Sequence, residues 1–189
     1  MKNEKLWSLK IPIKSNLKDK DIQNYFKICK EKLGLIPNIL KTNTIDKKKF
    51  NAFNIFYNRL MQDDNYLSKI EKEMIAVVVS ATNRCLYCCI SHSYTLGKLL
   101  KDPIKAKNIL INFEAAQISK KHKMMLDFVS KLTRNSHKIN EDDRDKLRKI
   151  KFNEFQILEI IEVAAFFNMT NRIASGTNMK PNKEYYFSQ

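Results

Sequence analysis

Residues 68–92 read SKIEKEMIAVVVSATNRCLYCCISH, and the interpretation of their apolar run decides the fold class. The run at 74–79 could form a buried strand, because short apolar runs do not distinguish strand from helix by periodicity. Ser68 followed by Glu71 is a capping box, a pair of side chains that satisfies free backbone N–H groups at a helix start. We therefore predict a helix from Lys69 to about Thr82.

The rest of the chain supports an all-α fold in a single domain. The 189 residues are 43% hydrophobic, enough to bury one core, and three glycines and four prolines leave few breaks. We expect an N-terminal arm over residues 1–18, a helical domain over 19–180 and a C-terminal tail over 181–189. Further helices are predicted at about 19–33, from 46 to near the turn-forming residues 63–65, at 91–100 as a continuation of the cysteine segment, and at 103–116, 119–133 and 154–174, with short ones after Pro37 and Asn140.

The formal net charge of +15 is compatible with a nucleic-acid or membrane-surface partner. Arginines are few, however, and the lysines are scattered among acidic residues, which is typical of a solvated surface. No stretch approaches the roughly 20 apolar residues of a membrane helix, and residues 1–10 lack the apolar core of a signal peptide. We therefore expect a cytoplasmic protein that binds neither nucleic acid nor membrane.

Three of the four cysteines, Cys85, Cys88 and Cys89, lie within five positions. In a reducing compartment, such clustering indicates redox chemistry or metal binding rather than structural disulfides. If the segment is helical, Cys85, Cys88 and His92 stand at i, i+3 and i+7 and share one face. Two thiols so placed at a helix start can close into a reversible disulfide, and the helix dipole with a nearby imidazole stabilises the reactive thiolate.

Glu73 is a carboxylate on the apolar stripe of its helix, between Ile70 and Val77. Burying a carboxylate is costly unless it has a partner. That partner would be His92 or a cysteine proton if this helix packs antiparallel to the next. Glu71 already has a capping role, so we assign the chemical role to Glu73. The candidate catalytic residues are Cys85, Cys88, His92 and Glu73.

The segment from Glu73 to His92 resembles the alkyl hydroperoxidase D family of the carboxymuconolactone decarboxylase superfamily. The glutamate, C-x-x-C pair and histidine of that family match the four candidate residues in type and spacing. The resemblance extends over nearly the whole chain, in the manner of the peroxidase-related branch, through KLGLIPN at 32–38, EMIAVVVSA at 73–81, AAFFN at 164–168 and NR at 171–172. It implies an all-helical, oligomeric protein that reduces hydroperoxides while cycling a disulfide.

In the cycle that the resemblance implies, Cys88 attacks the peroxide, forms a sulfenic acid and condenses with Cys85. A separate dithiol partner then reduces the disulfide. His92 would accept the Cys88 proton, and Glu73 would orient or recharge His92. The helix dipole alone favours Cys85, nearer the helix start, as the more acidic thiol, so the nucleophile stays open. Characterised members carry a second histidine just before the second cysteine, where this chain has Tyr87, and a shorter proton relay is expected.

Three other kinds of protein fit part of the same pattern. A metal-binding module could use the four candidate residues around zinc, although structural zinc sites usually draw ligand pairs from separate segments. A redox sensor or helical interaction protein would use the same thiols without turnover. A lactone decarboxylase does not call for a C-x-x-C pair. We favour an enzyme and expect neither a metal nor a cofactor.

The remaining cysteines and histidines carry weaker signals. Cys29 and Cys89 are interpreted as small hydrophobic residues, with an auxiliary thiol as the alternative for Cys89. His122 and His137 are interpreted as surface residues, because they lie in polar, lysine-flanked stretches. The helix around 157–169 is apolar around most of its circumference, which predicts a homo-oligomer.

Overall fold

The computed structural model describes residues 6–11, 17–63 and 66–187, and these ranges consist of helices joined by turns and loops. The predicted all-α fold class is confirmed. Of the expected arm and tail, residues 1–5, 12–16, 188 and 189 lie outside the described residues. The helices are α1 (Lys20–Leu33), α2 (Asn38–Asn43), α3 (Lys47–Met61), α4 (Lys69–Thr82), α5 (Leu86–Leu100), α6 (Pro103–Asn112), α7 (Lys120–Arg134), α8 (Glu141–Lys149), α9 (Glu154–Gly176) and α10 (Glu184–Phe187), with a 3₁₀ turn at Ser136–Lys138.

Capping side chains set the helix starts that decide the fold. The Ser68 hydroxyl accepts from the N–H of Glu71, and Oε2 of Glu71 accepts from the N–H of Ser68 at 2.9 Å. The predicted capping box therefore forms, and the apolar run that follows it is a helix. Asn153 and Gln156 form the second predicted capping box, at the start of α9.

Helix α6 is shorter than the sequence predicted. It ends at Asn112 instead of continuing to Ala116. The side chain of Asn112 accepts from the N–H groups of Glu114 at 3.1 Å and Ala115 at 3.3 Å. An asparagine that bonds the backbone N–H groups after it competes with the helical hydrogen bonds, and the chain turns there.

Helix α4 is the centre of the fold. Its residues from Lys72 to Ser80 are all buried, and α5, α6, α7 and α9 pack around it. Because α4 has neighbouring helices on all sides, the run at 74–79 has no side that faces solvent and therefore needs no polar face. Glu73 is therefore held inside the protein. None of the described helices has the length and apolar content needed to cross a membrane.

A buried ion pair that the sequence analysis did not identify joins α4 to α9. The ammonium of Lys72, fully buried, lies 3.1 Å from Oε1 of Glu159 and donates to the carbonyl oxygen of Asp63 at 2.9 Å. The other carboxylate oxygen of Glu159 accepts the N–H groups of Tyr66 and Leu67. Because both charges are paired and hydrogen-bonded, they can be buried, and they fix the segment before α4 against α9.

Helices α4 and α5 form a hairpin through the turn at 83–85. Arg84 adopts the left-handed conformation, with φ 53°, and the N–H groups of the three turn residues donate to carbonyl oxygens in the last turn of α4. Because this connection is so short, the two helices lie side by side. The hairpin brings Glu73 on α4 next to His92 on α5, as antiparallel packing predicted.

Helices α1 to α3 form a layer beside this core. Ile22, Phe26 and Cys29 of α1 pack in one cluster with Leu40 and Phe50. Helix α3 also packs against α9. Between this layer and helices α5 and α9 lies the cavity described below.

Candidate active site

The cysteine pair stands at the start of α5. Cys85 is the N-cap residue and Cys88 lies in the first turn, with 2.7 Å between the two sulfur atoms. Both are free, buried thiols, whereas Cys89 is half-buried. The free N–H groups and the dipole at a helix start favour a thiolate in this position.

The two thiols differ in acidity. A hydrogen bond from the Cys88 thiol lowers the pKa of Cys85 to about 6, against the effect of burial, and the N–H of Cys88, the Ser175 side chain and a positive His92 act in the same direction. The pKa of Cys88 is raised, first because it donates to Cys85 and then because it is buried. Cys85 is therefore the thiol of the pair that ionises first, the order that the helix dipole predicted.

His92 is held in one orientation by two contacts. Its Nδ1 lies 2.8 Å from Oε2 of Glu73, and Phe167 meets the imidazole ring edge-on with 4.6 Å between ring centroids. Because a carboxylate oxygen can only accept a hydrogen bond, Nδ1 carries the hydrogen atom and donates the hydrogen bond to Glu73. In the neutral ring, Nε2 is then the nitrogen free to accept a proton. The glutamate predicted to be buried among apolar residues thus has the imidazole as its partner.

A cavity of about 420 Å³ lies in front of this group. Helices α1, α2, α3, α5, α9 and α10 contribute to its walls, and both Cys88 and His92 line it. Cys85 and Glu73 are not among the lining residues and lie behind those two. The structure thus brings the four predicted residues together in two layers, and a molecule in the cavity meets Cys88 and His92 first.

Asn171 is a site residue that the sequence analysis quoted only as part of the family resemblance. It is 1% exposed, and its Oδ1 accepts from the Asn83 amide at 3.0 Å. Its amide nitrogen donates to the Ser80 hydroxyl at 3.2 Å, and its side chain also hydrogen bonds Cys88, which lowers the pKa of that thiol against the larger opposing effects. The sequence feature that could have identified Asn171 is a polar amide side chain among the buried residues of α9.

Tyr87 stands where characterised relatives carry the second histidine. Its hydroxyl oxygen accepts from the N–H of Ile39 at 3.1 Å, which ties α5 to α2, and the side chain lines the cavity. Burial raises the pKa of this phenol above its usual value. Tyr87 is therefore a neutral phenol at physiological pH and does not replace the histidine as a base.

The other cysteines are buried or half-buried thiols. Cys29 is buried on α1, as predicted, and lines the cavity; burial raises its pKa. Cys89 is half-buried, and burial raises its pKa to about 11. Both therefore stay protonated at neutral pH. Among the described residues, no three or more His, Cys, Asp or Glu side chains are placed to hold a metal ion, so the metal-binding alternative gains no support.

One of the two remaining histidines has a partner that the sequence did not indicate. The His122 side chain is 27% exposed, and its Nε2 lies 3.6 Å from Oε1 of Glu71. His122 and, to a smaller extent, the hydrogen bonds with Ser68 lower the pKa of Glu71 to about 2. His122 is thus at the surface, where the packing of α7 against α4 brings the first turn of α7 to the capping glutamate. His137 is exposed, as predicted.

Residues 49–107 match the Carboxymuconolactone decarboxylase family, and this range contains all four predicted catalytic residues. An uncharacterized peroxidase-related protein from Silicibacter sp. TM1040 is 44% identical, with a TM-score of 0.93 and coverage of 99% of this chain and 97% of that chain. A second, from Ralstonia eutropha JMP134, described as an alkylhydroperoxidase AhpD core, is 34% identical, with a TM-score of 0.88 and coverage of 93% of each chain.

The debrominase Bmp8 is 16% identical, with a TM-score of 0.79 and coverage of 97% of this chain and 95% of that chain, and this likeness shows a shared fold alone. The comparison with curated proteins gives no match. The identity with two peroxidase-related proteins over nearly the full length of both chains decides the family. This chain belongs to the carboxymuconolactone decarboxylase superfamily, as an alkyl hydroperoxidase D-like protein.

Proposed function

We propose that the protein is a thiol-dependent hydroperoxide reductase that cycles a disulfide between Cys85 and Cys88. The observation that carries the proposal is that the two thiols have different positions. Cys88 lines the cavity together with His92, whereas the more acidic Cys85 lies behind Cys88. A dithiol, supplied as a small molecule or by a reductase protein in the reducing cytoplasm, returns the disulfide to two thiols.

In the first step Cys88 attacks the outer oxygen of the hydroperoxide. Its thiol proton passes to Nε2 of His92, the O–O bond breaks, and Cys88 becomes a sulfenic acid while an alkoxide leaves. The imidazolium of His92 gives its proton to the alkoxide, which departs as the alcohol. Glu73 positions His92 and stabilises its positive charge through the 2.8 Å hydrogen bond.

In the second step the Cys85 thiolate attacks the sulfur of the Cys88 sulfenic acid. A disulfide forms and hydroxide leaves, which takes up a proton to become water. The two thiols have then supplied the two electrons that convert the hydroperoxide into alcohol and water. The low pKa of Cys85 in the reduced pair suits this step, because the thiolate is the attacking form and the two sulfur atoms are 2.7 Å apart before the reaction. The acidic Cys85 and the attacking Cys88 thus have different tasks.

Steady-state turnover distinguishes this enzyme from a redox sensor. The purified protein is supplied with a hydroperoxide and an excess of dithiothreitol, and alcohol production is followed. We expect many molecules of alcohol per chain, with loss of activity in Cys88→Ser and no loss in Cys89→Ser. A sensor would stop after one equivalent of peroxide and would not turn over with any dithiol.

Asn171 is expected to speed the first step by donating a hydrogen bond to the developing Cys88 thiolate. Replacing it with leucine should slow Cys88 oxidation by about tenfold to a hundredfold, the usual range for one hydrogen bond to a charged group. The pH–rate profile should also shift to higher pH, because the thiolate loses a donor. Stopped-flow oxidation across pH measures both effects.

Asn168→Ala is the matched control for this variant, since Asn168 lies on the same helix and bonds the same Asn83 amide. We expect it to change the melting temperature without shifting the profile. If Asn171→Leu also changes only the melting temperature, then Asn171 serves the fold and has no role in positioning Cys88.

We also propose that the protein assembles as a homo-oligomer through α9. A row of exposed residues at helical spacing runs along it, namely Phe155, Leu158, Glu162, Ala165, Met169 and Ile173, and all of them except Glu162 are apolar. The exposed Ile55 and Phe56 of α3 extend the row, since the Phe56 ring packs on Phe166 of α9. Exposed apolar surface of this extent marks an interaction site in soluble proteins.

Light scattering at micromolar concentration tests the assembly. The wild-type protein should have the mass of two or more chains, and Leu158→Lys should lower that mass by placing a charge in the interface. Ile111→Lys is the control, because Ile111 is 81% exposed on α6, which does not contribute to this row. A wild-type protein with the mass of one chain would contradict the proposal.

A further inference from the structure

The cavity in front of Cys88 is far larger than hydrogen peroxide requires. Its volume is about 420 Å³, whereas a water molecule takes up about 30 Å³ in the liquid and hydrogen peroxide has only one more oxygen atom. Cavities of several hundred Å³ are the usual size for small organic ligands. The space beyond Cys88 is therefore available to the organic part of a hydroperoxide.

Aromatic rings form much of the cavity wall. Phe53 and Tyr57 come from α3, Phe166 and Phe167 from α9, and Tyr185 from α10. The rings already pack on one another: Phe166 and Phe167 are perpendicular at 5.4 Å, and Phe53 lies 5.6 Å from Phe166. Such a wall offers both ring faces and ring edges to a ligand, and its side chains need little ordering when the ligand binds.

The inner cavity lacks fixed charge. Among the described lining residues there is no carboxylate, and the lysine among them, Lys32, is exposed at the α1 side. The lining groups beside Cys88 include the imidazole of His92 and the neutral phenol of Tyr87, while the acidic groups Cys85 and Glu73 lie behind this wall and disfavour an anionic ligand. This environment favours an uncharged ligand. A rigid ring also loses less conformational entropy on binding than a flexible chain of the same carbon number.

We infer, building on the proposed function, that the preferred substrate is an uncharged hydroperoxide with an aromatic ring close to the peroxide group. The ring occupies the aromatic part of the cavity, and the peroxide reaches Cys88 and His92. Helices α1 and α2 complete the wall with Tyr25 and Ile39. Both precede the family match at 49–107, so part of the selectivity comes from a region outside it.

Single-turnover oxidation with matched hydroperoxides tests this inference. Cumene and tert-butyl hydroperoxide are both tertiary and differ by a phenyl group in place of a methyl group, while 1-octyl hydroperoxide matches cumene hydroperoxide closely in carbon number. We expect cumene hydroperoxide to oxidise the reduced protein at least about tenfold faster than the other two, relative to a free thiol in solution. Equal relative rates, within about threefold, would overturn the inference.

A pair of Phe→Leu variants ties the preference to the cavity. Phe53→Leu keeps an apolar side chain and removes a lining ring, whereas Phe113→Leu removes an equally half-buried ring at the end of α6 that does not line the cavity. Phe53→Leu should lower the rate with cumene hydroperoxide by about fivefold to tenfold and leave tert-butyl hydroperoxide nearly unchanged. Phe113→Leu should change neither. Equal effects of the two variants would contradict the proposed location.

Binding of the product alcohols separates this inference from the proposed function. If no hydroperoxide oxidises the thiols, the proposed function fails, and calorimetry with 2-phenyl-2-propanol, tert-butanol and 1-octanol still tests the ligand class. Binding of the phenyl alcohol at least about tenfold more tightly than the other two supports the aromatic preference. Comparable binding of all three, or none, overturns it.

Discussion

Replacing Cys88 with serine is expected to abolish hydroperoxide reduction. Cys88 is the thiol of the pair that lines the cavity, and serine is a far weaker nucleophile at neutral pH. We expect the rate to fall by more than about 10³-fold, as is usual when an enzyme loses its nucleophile. Consumption of cumene hydroperoxide by the reduced variant, followed by chromatography of the alcohol, measures the loss.

Cys85→Ser should behave differently from Cys88→Ser, and the contrast distinguishes the two roles. Without the neighbouring thiolate, the main cause of the raised Cys88 pKa disappears, so the first oxidation should be retained or become faster. The reaction should then stop at the sulfenic acid, which dimedone traps. If instead Cys85→Ser loses peroxide reactivity and Cys88→Ser keeps it, the two assignments must be exchanged.

Glu73→Gln is expected to slow thiol oxidation by about 10² to 10⁴, the usual contribution of a positioned acid–base group. The glutamine is nearly isosteric, so the fold should persist, but it no longer stabilises a positive charge on His92. The main cause of the low Cys85 pKa, the hydrogen bond from Cys88, is unchanged in this variant, so the loss of the smaller contribution from the positive form of His92 should raise that pKa only slightly. The ultraviolet absorbance of the thiolate as a function of pH, measured beside the rate, gives both quantities.

The matched control for Glu73→Gln is Glu71→Gln on the same helix. Glu71 caps α4 and pairs with His122, and it contacts none of the reacting groups. Its replacement should lower the melting temperature and leave the pH–rate profile unchanged. A Glu73→Gln protein that loses stability but keeps the wild-type profile would show that Glu73 is structural.

Local signals carried most of the fold prediction. The capping box of Ser68 and Glu71 was readable because its partners are three residues apart, and it correctly set the start of α4. The pairing of Glu73 with His92 could also be predicted from the local sequence. A carboxylate on an apolar stripe needs a partner, and a short hairpin connection left few candidates.

Features that depend on distant packing were not predictable. Lys72 pairs with Glu159, and Asn83 hydrogen bonds Asn171, only when α4 and α9 are packed together. Nothing in the sequence spacing of these residues indicates the two contacts. The cavity likewise depends on six helices from both ends of the chain, including α10 within the expected tail. The end of α6 was missed because the side-chain hydrogen bonds of Asn112 overrode the helical pattern.

The acidity of the two thiols shows how structure changed a sequence-based argument. The helix dipole indicated Cys85 as the more acidic thiol, whereas the family resemblance indicated Cys88 as the nucleophile. These are two different properties. The structure separates those properties: Cys85 has the lower pKa, and Cys88 has access to the cavity. Access depends on which helices cover the site, so it could not be read from the C-x-x-C spacing.

The most direct test of the proposed cycle is to map the disulfide formed by one equivalent of hydroperoxide. Arg84 and Lys98 place the whole cysteine cluster in one tryptic peptide, residues 85–98, so Cys89→Ser is used beside the wild-type protein. The reduced proteins receive cumene hydroperoxide, are alkylated and digested, and are then analysed by mass spectrometry, while the alcohol is quantified.

In both proteins the peptide should lose two hydrogen atoms, resist alkylation at Cys85 and Cys88, and appear in step with one equivalent of alcohol per chain. Cys29 should remain a free thiol. Oxidation mainly at Cys29 or Cys89, or alcohol production while Cys85 and Cys88 stay reduced, would contradict the proposed cycle.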